Sequence, residues 1–206
     1  MDDTEINARI RKAWNKFGIY REELIDTNIP INLRMKLFEA VITPTALYGC
    51  EAWAMTVKRQ TCLRTAQRKM VRRIMNAHRT YPDFDNYVDW MKSETAKADE
   101  LMNVHNVTCW TKIQRRRMWK WAGKMASEKD GRWNKAINDW QPYHARPRGR
   151  PRTRWSDTLN AFMALESSTK HNPMDWTKKA KNEKEWQALG PRFEEEMCLK
   201  KSAQVS

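Results

Sequence analysis

The 206-residue chain holds 39 Lys and Arg against 25 Asp and Glu, a net charge of +14 and a pI near 9.8. That excess attracts polyanions, chiefly nucleic acid or an anionic membrane. No run approaches the ~18 apolar residues of a spanning helix, and the acidic start Met1-Asp2-Asp3-Thr4-Glu5 has no apolar stretch behind it, so neither a membrane partner nor a secretory signal is expected.

The expected location is intracellular and nuclear. With 40% hydrophobic residues the chain suits one or two domains with a core. Its 6 Gly, set against abundant Lys, Arg, Glu, Ala and Met, favour an all-α fold. Cys50, Cys62, Cys109 and Cys198 form no CxxC pair and have no His at finger spacing, so free buried thiols are expected rather than zinc.

The charge is segregated. Residues 58–79 hold 8 basic residues and no acid, and residues 110–155 hold 14 basic against 3 acidic. Residues 80–109 hold 2 basic against 6 acidic. A merely soluble surface does not need such blocks, whereas a surface following phosphates does.

The first predicted helix opens at Glu5, carries Ile6, Ile10, Ala13, Trp14 and Phe17 on one face, and ends at Gly18. Residues 19–28 read as a connection with at most a helical turn. Asn28-Ile29-Pro30 leads into a second helix, since Pro is tolerated in a first turn. Its apolar face is Leu33, Leu37, Phe38 and Val41, and Pro44, lacking an N–H, must kink or end it. A short apolar segment follows: Leu47, Tyr48, Cys50 and Trp53.

Thr56 is placed to cap a third helix reaching about Asn76. Leu63, Ala66, Met70 and Ile74 form its apolar face, with Arg64, Arg68, Lys69, Arg72 and Arg73 on the polar side. That side has no acid for i,i+4 pairing. It is either a solvated basic face or one whose counter-charge comes from neighbours or a polyanion. Residues 80–109 read as a loop followed by a helix starting near Asp83 or Ser93 and ending at Leu101.

Residues 110–127 form the next helix. Trp110, Met118, Trp121 and Met125 share one face, an apolar stripe that reads as core before base-stacking, and Arg116, Lys120 and Lys124 stack on another. Asp130-Gly131 is a turn, and a short helix follows with Trp133, Ile137 and Trp140.

Arg146-Pro147-Arg148-Gly149-Arg150-Pro151-Arg152-Thr153-Arg154 has two Pro and a Gly that forbid regular helix. Its extended core Pro147-Arg148-Gly149-Arg150-Pro151 resembles an AT-hook, which enters a narrow minor groove. Backbone contact through Arg148, Arg150, Arg152 and Arg154, minor-groove reading and a plain linker all remain open. Helix is expected again from Trp155 to Leu165. A last helical region starts at Trp176, Ala180 and Trp186, breaks at Gly190-Pro191 and frays beyond Phe193.

Chemistry-bearing motifs are sparse. Metal-dependent polymerases and nucleases cluster carboxylates. Here Asp2-Asp3 lies at a terminus, Asp83 and Asp85 lie in the acidic segment, and Glu194-Glu195-Glu196 reads as a solvated run. There is no GxxxxGK[ST] loop and no GxSxG elbow. His78, His105, His144 and His171 are scattered. No catalytic residue, metal or cofactor is expected.

The chain resembles the C-terminal part of the endonuclease–reverse transcriptase of non-LTR (LINE-type) retrotransposons. The resembling residues run in order. Glu5-Ile6, Arg9-Ile10, Ala13-Trp14 and Phe17 come first, then Ile29-Pro30, Leu33 and Lys36-Leu37-Phe38. Leu47-Tyr48-Gly49-Cys50-Glu51-Ala52-Trp53 is similar to the "LYGxExW" signature. Leu63, Ala66-Gln67-Arg68, Met70 and Arg72-Arg73-Ile74 follow, and Trp119-Lys120-Trp121-Ala122-Gly123 resembles a "WAGH" segment. Asp130-Gly131-Arg132-Trp133, Arg148-Gly149-Arg150-Pro151 with Arg154-Trp155, and Trp176, Ala180, Trp186 and Leu189-Gly190 complete the order.

Two departures stand out. Lys124 replaces the usual His, and residues 78–92 are acidic and aromatic where the family is basic. The fingers, palm and "YxDD" strand have no counterpart here. The resemblance implies a thumb-like helical domain (1–79), an acidic connection (80–109), a Trp-rich helical region (110–145), a basic linker (146–154) and a helical tail (155–206). It also implies a duplex-clamping part of an RNA-directed DNA polymerase, inactive alone.

The expected partners are RNA–DNA hybrid or duplex DNA, bound without sequence preference, and a palm-bearing polymerase. Two other readings stay open: a domesticated scaffold that meets an acidic protein, and an AT-hook-like architectural binder.

Overall fold

The structure is a computed structural model describing residues 3–77, 86–128, 153–166 and 176–199. Among these residues it is all-α, with no strand. The chain divides into two compact units. The first takes residues 1–48 and 57–111, and the second takes 49–56 and 112–206.

In the first unit, α1 (Asp3–Ile19) buries Ile6, Ala13 and Phe17. It packs on α4 (Thr43–Ala46) and α5 (Val57–Ile74). Part of the expected connection is a short helix, α2 (Arg21–Ile25), held by fully buried Leu24. Helix α3 (Ile31–Leu37) starts after Pro30, as expected, but its buried face differs from the predicted one. Leu33 is 50% exposed, whereas Arg34 is 8% exposed. The reason lies in the backbone: the Arg34 guanidinium donates to the carbonyls of Ile29 at 3.0 Å and Ile74 at 2.7 Å. It thereby satisfies the orphan carbonyl at the end of α5.

The helix does not end at Pro44. Phe38–Ile42 widen into a π-turn, with the Thr43 N–H reaching the Phe38 carbonyl, and α4 continues with Pro44 in its first turn. The widened turn accommodates a residue with no N–H to give. Gly49 follows at φ 68°, a left-handed conformation that a Cβ would strain. Tyr48 is not in the apolar interior. It is 67% exposed, with the Arg9 guanidinium 4.7 Å from its ring centroid.

Helix α5 buries Leu63, Ala66, Met70 and Ile74 as the periodicity predicts, and Gln67 with them. The Gln67 carboxamide donates to the Thr108 carbonyl at 3.0 Å and accepts from the Trp110 N–H at 2.8 Å. It thereby fixes the start of α7 (Trp110–Ser127). Helix α6 spans Tyr87–Val104, ending later than expected. The Asn86 side chain caps it by accepting the Asp89 N–H at 3.0 Å.

In the second unit, α7 meets α8 (Asp157–Glu166), α9 (Trp176–Ala180) and α10 (Glu183–Leu199) in one core. Met118, Trp119, Ala122 and Met125 pack with Leu159, Phe162, Trp176, Trp186 and Phe193. Trp119, not the predicted Trp121, enters this core, and Trp121 is half-buried. Trp119 and Trp186 stack at 3.6 Å and 4°, and each indole N–H donates to the other's carbonyl, at 3.0 and 3.1 Å.

Helix α10 runs unbroken through Gly190-Pro191, contrary to the expected break. Trp186 and Phe193, buried on either side of that pair, hold the axis together at the expense of one backbone hydrogen bond. Phe193 is likewise core rather than the start of a fraying tail.

The residues of the Gly49–Thr56 segment pack in this second unit. The Cys50 carbonyl accepts from Gln114 Nε2 at 3.2 Å, and the Glu51 carbonyl accepts from Trp155 Nε1 at 2.7 Å. Cys50 is buried, while Cys62 and Cys109 are only partly so. The predicted turn at Asp130-Gly131, the helix around Trp133, and Arg148, Arg150 and Arg152 lie outside the described residues.

Candidate nucleic-acid interface

The all-cationic side of α5 meets counter-charge from its own unit. Helix α6 packs along α5. Its Asp99 carboxylate lies 2.7 Å from Arg68, whose side chain is 14% exposed. Arg72 donates to the Thr95 hydroxyl at 2.8 Å. Burial pulls the Arg72 guanidinium below its ordinary range, with Tyr87 opposing and the Arg68 charge adding to the fall. An Arg stays charged under such a shift, and one of its donors is taken by Thr95. Asp99 of the acidic segment thus pairs with one cation of the basic block before it.

The other cations of α5 are placed differently. Arg73 is exposed and Arg64 is partly exposed, and neither has an ion-pair partner among the described residues. Lys69 is exposed, with its ammonium 5.9 Å from the Trp14 ring centroid.

On α7 the predicted stack of Arg116, Lys120 and Lys124 is exposed throughout. Arg116 is tied by a forked pair to Glu194, with Nε 3.0 Å from Oε1 and Nη2 3.0 Å from Oε2. These bonds raise the Arg116 pKa. Glu194 is therefore no solvated acid: its side chain is 12% exposed, and its carbonyl also accepts from buried Arg115 at 3.2 Å.

Lys120 and Lys124 have no acidic partner among the described residues. They stand one turn apart and both line an open groove of about 410 Å³ with Glu51, Arg117 and Trp121. Arg154 is exposed, and its backbone N–H bonds the Asp157 carboxylate at 2.7 Å.

The structure thus separates cations that the sequence pattern treats alike. Arg68, Arg72 and Arg116 are engaged internally, whereas Arg64, Arg73, Lys120 and Lys124 have no acidic partner among the described residues. Glu51 and Trp121, beside the two lysines, are not marked as surface groups by any sequence pattern. The helical stripe assigns Trp121 to the core, and nothing in residue spacing brings position 51 to position 121.

Over 186 residues the chain is 26% identical to a transposon-derived protein of Caenorhabditis elegans, a match taking in 90% of this chain and 63% of that protein. The chain therefore spans somewhat less than two thirds of the relative's length. The similarity supports a mobile-element origin. No protein-family model and no solved structure matches the chain. Among the described residues no helix is long and apolar enough to cross a membrane.

Proposed function

We propose that the chain binds nucleic acid through phosphate contacts, as the C-terminal part of a non-LTR retrotransposon reverse transcriptase that holds a template–primer duplex for a palm-bearing polymerase. The observation that carries this reading is the pair Lys120 and Lys124. They are exposed on one face of α7 and lack any acidic partner among the described residues. By contrast, Arg68 and Arg116 are paired with acids of their own unit. An unpaired stripe on a chain of net charge +14 fits a polyanion better than a solvated surface does.

The transposon-derived relative supports the mobile-element side of the reading. Contacts to phosphate position a protein without reading sequence, which suits a role on RNA–DNA hybrid or duplex DNA of any sequence.

The test is fluorescence-anisotropy binding of the chain to hybrid and duplex DNA across a salt series. Micromolar or tighter affinity with a steep salt dependence is expected. Changing Lys120 and Lys124 together to Ala weakens binding to all duplexes alike and lowers the salt slope by about one per lysine. Absence of binding at about 100 mM salt sinks the proposal.

A further inference from the structure

We infer that the groove beside α7 holds one unpaired base of a single strand, with guanine preferred. This rests on the nucleic-acid reading above and adds a ligand that phosphate contact alone does not imply. Three features of the second unit carry it. Trp121 lies on the part of α7 that builds the unit's core without belonging to that core, and it lines the groove. Lys120 and Lys124 flank it on the same helix, one residue before and three after, so that cations lie along the edge of an aromatic platform. That combination suits single-strand binding, where bases stack on aromatic side chains and cations follow the backbone.

The third feature is Glu51. Glu51 lines the same groove, together with Arg117, and the Glu51 carboxylate has no hydrogen-bond or ion-pair partner among the described residues. The position of Glu51 is set by its backbone, since its carbonyl accepts from Trp155 Nε1 at 2.7 Å.

A carboxylate repels phosphate, so a strand entering here turns its base toward Glu51 and its phosphates toward the lysines. An ionised carboxylate only accepts hydrogen bonds. The base edge that suits it best offers two adjacent donors, and the N1–H and N2–H₂ of guanine do so. Adenine and cytosine each offer one amino group beside an acceptor. Such readout needs a base splayed from its helix. Lys120 and Lys124 also line a second groove of about 420 Å³, with Lys181 and Glu183, so the two lysines border both grooves.

The experiment compares anisotropy binding of the full chain to roughly twelve-nucleotide thymidine strands carrying one central dG, dI, dA or dC. The dG strand is expected to bind roughly fivefold or more tighter than dA, with dI between. Glu51→Gln, which keeps shape and removes charge, erases that order.

Trp121→Ala lowers single-strand affinity roughly tenfold and leaves duplex affinity and its salt slope unchanged, while Trp121→Phe recovers most of that affinity. Equal affinity for all four strands overturns the proposal, as does a Trp121→Ala effect that is the same on duplex and single strand. In both cases duplex binding persists and the wider reading stands. Failure to bind any nucleic acid overturns both.

Discussion

At Gly123 two opposed effects can be weighed. A Cβ there would sit 2.6 Å from Trp186 Nε1 and 2.8 Å from its Cδ1. The Trp186 ring cannot easily retreat, being stacked on Trp119 and bonded to the Trp119 carbonyl. Helix propensity favours Ala over Gly by about 1 kcal/mol, while overpacking costs about 1–3 kcal/mol. Gly123→Ala should therefore destabilise the chain by up to about 2 kcal/mol in urea unfolding.

Gly190 gives the contrast. Its Cβ would meet Trp119 at 3.3 Å, a contact that small movements relieve, so Gly190→Ala should be near neutral. Equal effects at both positions would contradict the mutual Trp119–Trp186 stacking as the source of the cost.

Cys50 gives a second test at this scale. Burial raises its pKa from 9.0 to about 11, with Arg117 opposing the shift. At about pH 8, iodoacetamide should modify Cys62 and Cys109 well before Cys50, as peptide mass mapping would show. Because the folded pKa lies above the unfolded one, the thiol's contribution to stability is whole below pH 9.0 and is lost as pH rises toward about 11. A Cys50→Ala chain should lack that part of the alkaline decline in denaturant melts.

Among the elements, α5 and α6 act as a charge couple. Asp99→Asn should cost little stability, since the pair is partly exposed (14% and 40%) and such pairs contribute about 1 kcal/mol or less. It frees the Arg68 guanidinium. If α5 contributes to binding, the salt slope for duplex DNA should steepen by about one; an unchanged slope would remove Arg68 from the interface.

The ends of the elements show where periodicity stops being informative. The α7 boundaries are legible because a long amphipathic run marks its own extent. At Pro44 the expected kink or end takes the form of a widened π-turn from which the helix goes on, and at Pro191 the expected break does not occur. Local propensity there amounts to a few kcal/mol, and burial of Phe38, Trp186 and Phe193 outweighs it.

For the whole molecule, the division into units has a consequence for truncation. The second unit takes in Gly49–Thr56, far away in the chain, whose carbonyls at Cys50 and Glu51 satisfy Gln114 and Trp155. A fragment of residues 112–206 leaves those two buried or half-buried donors without partners, at about 1–3 kcal/mol each, and lacks Trp53. Such a fragment should melt without a cooperative transition by circular dichroism. A sharp transition like that of the full chain would show that the segment is dispensable.

The sequence alone determined the helical class, the amphipathic face of α5, the extent of α7 and the segregation of charge, because each follows from composition or from spacing within one segment. It could also set out the cationic residues as a group. Which of them remain available was decided by tertiary structure, because Arg68 meets Asp99 and Arg116 meets Glu194, partners far apart along the chain. The same holds for Trp119 turning inward while Trp121 stays at the surface. A stripe of apolar residues tells how wide a helix's buried face is, but the rotation of that face is chosen by the partner helix, here α10 with Trp186. Glu51 reaches the groove of Trp121 only through a fold that brings a short segment back onto α7, and no local pattern encodes that return.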